Sequence, residues 1–424
     1  MNRSTCFIRF AAVAAALALL AGCGKAPASA APSGSGQTFG TGEGVSSGPV
    51  QELTAPLPYQ LFSQGAGSEE GFYYVEPTPA NSLAGQLRYV DYASGLDVPL
   101  SAQVNSDHSD ETDTSYLDSI EGDYRLFLSG GQLYFLRTDA VYRMEPDGSD
   151  RRLVYQCDSG ALLMCAAASE DHLYLFQRSG DNIRAIRVPK EGGSGSTVAT
   201  LSGDRDVTLV GCRDGLMYLH RMGYDPDKAD SMGILGATTH TLATLDPATG
   251  QVTELADLCP DDTQYAEPYM AGETLLLFYP NNGLQLAICD EKGQPQRTLP
   301  LTAQGESLHQ IEQPYVIGDT FFLPCWDDQL HQGCQPLVDI PTGEVSRSDL
   351  CLSRDDGKDK VGATVLAENE SSYLVVSSLT TEEIQAPRGD GTSVTLSAQR
   401  YGYSLVDKDQ FTAASPQLTP IQRS

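Results

Sequence analysis

A short strand motif recurs seven times along this chain. Apolar and aromatic residues cluster in Gly71–Val75, Gln132–Leu136, His172–Phe176, Gly215–Leu219, Thr274–Phe278, Thr320–Leu323 and Ser372–Val376. Each motif leads through a second strand to a turn: Val90–Gly95, Arg143–Gly148, Val188–Gly192, Leu245–Gly250, Cys289–Gly293, Asp339–Gly343 and Val406–Asp409. Six of these seven turns carry glycine, the residue that reaches positive φ without steric cost and so suits a tight hairpin. A further apolar stretch precedes the motif, as in Tyr124–Leu128, and another follows the turn, as in Arg152–Tyr155. Four short strands per unit, repeating every roughly 40 to 60 residues, describe the blades of a β-propeller. The reading is all-β, with seven four-stranded blades, and the ragged first and last units leave six or eight open. Two unrelated β-sandwiches would not repeat their turn chemistry so regularly.

Residues 1–22 have a different character. Arg3 and Arg9 precede an apolar run from Phe10 to Leu20, too short for a membrane span of about 20 residues and shaped like a signal peptide. The run ends Leu20-Ala21-Gly22-Cys23, which resembles the lipobox of bacterial lipoproteins. The resemblance implies cleavage before Cys23, a diacylglycerol thioether on its sulfur, palmitate-type acylation and anchoring to the bacterial membrane on its outer side. An ordinary secretory signal beside a chance cysteine is the competing reading. Residues 23–50 are Gly, Ser, Ala and Pro with few apolar residues and read as a flexible tether. Residues 51–424 then form the propeller domain.

A second resemblance rests on Val141-Tyr142-Arg143-Met144-Glu145-Pro146-Asp147-Gly148-Ser149-Asp150, which is similar to an inner hairpin of TolB-like propellers. It implies a propeller-bearing lipoprotein of the cell envelope that recognises rather than transforms. In related lipoproteins the first blade ends in a C-x4-C-x-H-x4-C cluster after Val-Pro-Leu. Here Val98-Pro99-Leu100 is followed by Ser101, Ser106, His108 and Asp113. The histidine is kept and the thiolates are not, so no zinc is expected there.

The formal net charge is -29, from 27 basic and 56 acidic residues. Phosphate contact needs clustered Lys and Arg, so nucleic acid is excluded as a partner. Strand parity puts the B–C and D–A connections of every blade on one face. The long ones are Ser101–Asp123, Met222–Thr239 and Thr380–Gln399, and loops on one face of a repeat scaffold commonly carry binding. Candidate ligand-binding residues on them are Asp107, His108, Asp110, Tyr116, Tyr224, Asp225, Asp227, Arg388 and Asp390. Such a rim suits a cationic peptide, a hydroxyl-rich glycan or a divalent cation, and it equally serves plain solubility.

Other motifs fail on their own chemistry. Asp225-Pro226-Asp227-Lys228-Ala229-Asp230 lacks the EF-hand glycine, and Cys325, His331 and Cys334 offer three ligands where structural zinc takes four. Arg388-Gly389-Asp390 is an adhesion tripeptide that chance supplies easily. Eight cysteines follow Cys23. Mostly free, buried thiols are expected, with Cys157–Cys165 and Cys325–Cys334 as the local pairings open to a bridge. No G-x-S-x-G or H-E-x-x-H occurs, and no catalytic residue, metal or cofactor is assigned. The function read from the sequence is a monomeric, lipid-anchored binding or scaffold module for an extracytoplasmic protein, peptide or glycan. The alternative is a propeller-type glycosidase or polysaccharide lyase.

Overall fold

The computed structural model describes Leu53 and residues 65–78, 81–101, 103, 112–120, 124–225, 238–260, 265–281, 283–303, 305–354, 360–387 and 393–424. The signal segment, Cys23 and the tether lie outside these residues. The strands assemble into seven sheets, one per recurrence, and the fold is a seven-bladed β-propeller. Blade 2 shows the pattern: Tyr124–Ser129 (A), Gln132–Arg137 (B), Ala140–Met144 (C) and Arg152–Gln156 (D), paired antiparallel in that order. The recurring motif is the B strand of every blade. Leu133, Tyr134, Phe135 and Leu136 are consecutive and all buried, because both faces of a blade pack against neighbours. A sheet covered on both sides has no need for alternating polar residues.

The core is divided among the seams. Seven clusters of buried side chains each join two neighbouring blades, from Leu87 and Leu117 of blade 1 against Phe135 and Met144 of blade 2 round to Leu366 and Leu374 of blade 7 against Phe72 and Val90 of blade 1. Burial at roughly 25 cal/mol per Å2 of apolar surface therefore acts between blades, and no blade holds a core of its own. Leu53 joins the cluster between blades 3 and 4, with Cys165 and Leu209.

All six turn glycines have positive φ: Gly95 67°, Gly148 82°, Gly192 90°, Gly250 74°, Gly293 78° and Gly343 67°. At Gly250 an added Cβ would also lie 2.3 Å from the Val198 carbonyl oxygen. The seventh turn, without glycine, closes instead as a short 3-10 helix, Lys408–Gln410. Blade 6 is the irregular one. Its A strand is split into Leu308–Gln310 and Tyr315–Ile317, its B strand into Thr320–Phe322 and Cys325–Asp327. Pro324, which has no N–H to give a ladder, sits at the break.

The ring closes through the end of the described chain. After the D strand of blade 7, Leu418–Pro420, residues Gln422–Arg423 pair in parallel with the outer strand Leu96–Pro99 of blade 1. Beneath this seam Arg88 and Asp97 form an ion pair, Nε to Oδ1 2.9 Å, with exposures of 2% and 4%. The Tyr74 hydroxyl donates to the other carboxylate oxygen at 2.8 Å.

Two connections expected as loops are partly strand. In blade 7 the B and C strands run Ser372–Pro387 and Ser393–Asp407, and their ladder continues from Thr380↔Arg400 to Pro387↔Ser393. The hairpin extends some nine residues past Ser378, about 30 Å at ~3.3 Å per residue. In blade 4 the pairing likewise reaches Tyr224↔Thr238. Polar residues in these segments look like loop material, but backbone pairing needs no apolar side chains.

Candidate functional site

Of the candidate binding residues, Asp107, His108, Asp110, Asp227, Arg388 and Asp390 lie outside the described residues. Tyr224 ends the B strand of blade 4 and Asp225 follows it, and the Arg205 guanidinium stands 4.2 Å from the centre of the Tyr224 ring. Tyr116 belongs to a two-residue strand, Tyr116–Leu117, that pairs with Gly85 and Gln86 of blade 1. Tyr116 and Tyr224 thus belong to blades 1 and 4, and among the described residues no common pocket joins them.

The two ends of the loop before Tyr116 meet. Ser101 Oγ donates to Asp113 Oδ2 at 2.8 Å, while Asp113 Oδ1 accepts from the Ser115 amide at 2.7 Å and its hydroxyl at 2.6 Å. Asp113 is 1% exposed. Ser101 and Asp113, twelve positions apart, therefore come together here through a hydroxyl and a carboxylate.

Tyr116 also lines a cleft of about 320 Å3 at the seam of blades 1 and 2, with Leu117, Asp118, Phe135, Arg137, Tyr142 and Arg151. Arg137 ends the B strand, whereas Arg151 precedes the D strand at the opposite end of the blade. The cleft therefore runs along the flank of blade 2. Its wall is aromatic: Phe135 lies 5.9 Å from Tyr124 and 6.4 Å from Tyr142, centre to centre. The Arg137 guanidinium stands 5.9 Å from the Tyr142 ring centre and is committed to Asp139 by hydrogen bonds of 3.0 and 3.1 Å. Arg151 is placed differently. It donates one hydrogen bond, to the Tyr116 carbonyl at 2.8 Å, and makes no ion pair with the described residues. The residue is exposed overall, yet partial burial pulls its pKa below the usual arginine value, with Asp118 and Tyr142 acting the other way. A guanidinium has five N–H donors in a fixed fork, so most of this one's capacity is unspent.

Neither Arg137 nor Arg151 stands out in the sequence, since an arginine at a strand end or in a turn resembles any solvated cation. The fold makes them distinct by bringing residues 116–118 across from blade 1.

A second polar group occupies the seam of blades 4 and 5. His220 Nε2 and His240 Nδ1 are 3.0 Å apart, and the Tyr265 ring meets His240 edge-on at 4.9 Å. One imidazole donates and the other accepts, so the two cannot both be protonated while the contact is kept. Burial pushes His220 down to about 3, and His240 adds to the effect. Burial also raises the Glu267 carboxyl, against the hydrogen bond it accepts from the Tyr269 hydroxyl at 2.8 Å. Among the described residues no three His, Cys, Asp or Glu side chains are grouped to hold a metal ion. The eight cysteines carry free thiols, and Cys157, Cys165, Cys289, Cys325 and Cys334 are buried.

No family model matches the chain, and no curated protein does. Solved structures do resemble it. A puromycin hydrolase in complex with PGG aligns at 13% identity and TM-score 0.48, over 85% of this chain and 54% of the other. Prolyl oligopeptidase B from Galerina marginata aligns at 12% and 0.42, over 80% and 46%. A nidogen/laminin complex aligns at 13% and 0.33, over 58% and 92%. The chain spans about half the length of the hydrolase and oligopeptidase chains. At these identities the likeness concerns fold and says nothing of activity.

Proposed function

We propose that this protein is a lipid-anchored, non-catalytic binding module of the cell envelope, a TolB-like propeller held outside the membrane through acylated Cys23. The observation that carries the binding reading is the cleft at the seam of blades 1 and 2, where Arg151 makes no ion pair among the described residues, in a chain of net charge -29. A concave site with aromatic walls and a few convergent polar groups is the usual form of a ligand pocket. The glycosidase or lyase alternative is less well supported. Glycoside hydrolysis uses two carboxylates about 5 to 10 Å apart, and the cleft contributes only Asp118. At the seam with His220, Glu267 is already engaged by the Tyr269 hydroxyl, and His220 by His240.

Anchoring is tested by growing cells expressing the full chain with labelled palmitate. The label should enter the protein and be lost in Cys23→Ser, which should also leave the membrane fraction. Binding is tested by crosslinking on intact cells through a photoreactive residue at position 116. A specific adduct supports the module, and the same absence of adducts at positions 116, 142 and 224 would refute it.

A further inference from the structure

The cleft at the seam of blades 1 and 2 also constrains the charge pattern of what it binds. This step rests on the binding reading above. Arg151 and Asp118 both line the cleft, and neither is engaged in an ion pair among the described residues. The other arginine lining the cleft, Arg137, is already paired with Asp139. An anion alone would satisfy Arg151 but lie beside the Asp118 carboxylate, in a protein already carrying -29. A cation alone would satisfy Asp118 but face the Arg151 guanidinium. A ligand bearing both signs close together satisfies both groups and adds no net charge. The same cleft is lined by Phe135, Tyr142 and Leu117, a wall for an apolar or aromatic substituent.

We infer that the cleft binds a small zwitterion of the α-amino acid type with a large apolar side chain. Its carboxylate takes the free fork of Arg151, its ammonium faces Asp118, and its side chain lies against Tyr142.

The test is calorimetric titration of the full-length protein with three probes of equal bulk: L-phenylalanine, 3-phenylpropanoate and 2-phenylethylamine. L-phenylalanine should bind tightest. Removing one charge-assisted contact costs roughly tenfold or more in affinity. Arg151→Gln should therefore weaken phenylalanine and 3-phenylpropanoate alike, whereas Asp118→Asn should weaken phenylalanine and spare 3-phenylpropanoate. Unchanged far-UV circular dichroism and melting temperature control for folding. If 3-phenylpropanoate binds as tightly as phenylalanine and depends on Arg151, the zwitterion is overturned while the cleft stands as an anion site. If no probe binds, or binding ignores Arg151, the inference fails. The crosslinking above then decides independently whether the propeller binds at all.

Discussion

Replacing Asp97 by alanine should be among the most damaging single changes outside the apolar core. The carboxylate is 4% exposed and takes Arg88 Nε at 2.9 Å and the Tyr74 hydroxyl at 2.8 Å. Burial pushes the Tyr74 phenol far up, so it stays a proton donor across the whole working range. Removing the carboxylate leaves a guanidinium that is 2% exposed without its counter-charge, at a cost of about 3–5 kcal/mol, with the orphaned phenol inside that range or slightly above it. At an unfolding entropy of about 2.1 cal/mol/K per residue, a domain of this size loses roughly 5 °C of melting temperature for ~4 kcal/mol. Calorimetry of Asp97→Ala and Asp97→Asn provides the measurement. Asn keeps an acceptor for Tyr74 and should fall between wild type and Ala. The double variant Arg88→Met with Asp97→Leu should recover most of the loss, because a packed apolar pair replaces a buried ion pair nearly neutrally. By contrast Asp150→Ala, which breaks an exposed pair with Arg152 and puts alanine at a φ of 53°, should cost only about 1–2 kcal/mol. If Asp97→Ala were as mild as Asp150→Ala, the claim that this pair secures the closing seam would be wrong.

Further outcomes follow from the same coordinates. Deleting Gln422–Ser424 removes the bonds from Gln422 N to Gly95 O and from Ser424 N to Asp97 O, together with the Arg423–Glu76 pair. Urea unfolding should show a loss of roughly 2–4 kcal/mol, and an unchanged midpoint would mean that the ring does not depend on this strand. Acid should weaken the protein through His220, whose folded-state pKa is depressed to about 3 from 6.5. That contribution is complete above about pH 6.5 and falls away as pH drops toward 3, by roughly 5 kcal/mol in all. Glu267, raised by burial, acts in the opposite sense. His220→Gln should therefore flatten the loss of stability between pH 6.5 and 4, and an unaltered slope would exclude His220 as its source. Ser101→Cys with Asp113→Cys should form a disulfide under mild oxidation, seen as a mass lower by two hydrogens, because the native side chains already touch at 2.8 Å. Two persistent free thiols would show that the positions are not held together.

What the sequence reveals here is what is local. The seven B strands and the six turn glycines are legible because an apolar run and a residue at positive φ each depend on a few neighbours. The seventh turn at Val406–Asp409, lacking glycine, is also locatable, but its 3-10 form is not. Closure is not legible, since Gln422 meets Leu96 across most of the chain and a two-residue strand has no periodicity to detect. The arm of blade 7 reads as loop because Glu382, Glu383 and the Arg388-Gly389-Asp390-Gly391 run resemble turn material. Its ladder nevertheless extends to Pro387↔Ser393. Of the cleft, Tyr116 is reachable from sequence as a residue in a long connection. Arg151 gains its significance only when Tyr116, 35 positions earlier, is folded across to accept its hydrogen bond.

If the seam of blades 1 and 2 is a binding site completed by its ligand, a crystal structure of the full-length protein grown with L-phenylalanine should show it. Density is expected in the cleft with the carboxylate on the Arg151 fork, the ammonium toward Asp118 and the ring along Tyr142. A direct Arg151–Asp118 ion pair filling the same space, with no ligand bound, would contradict it.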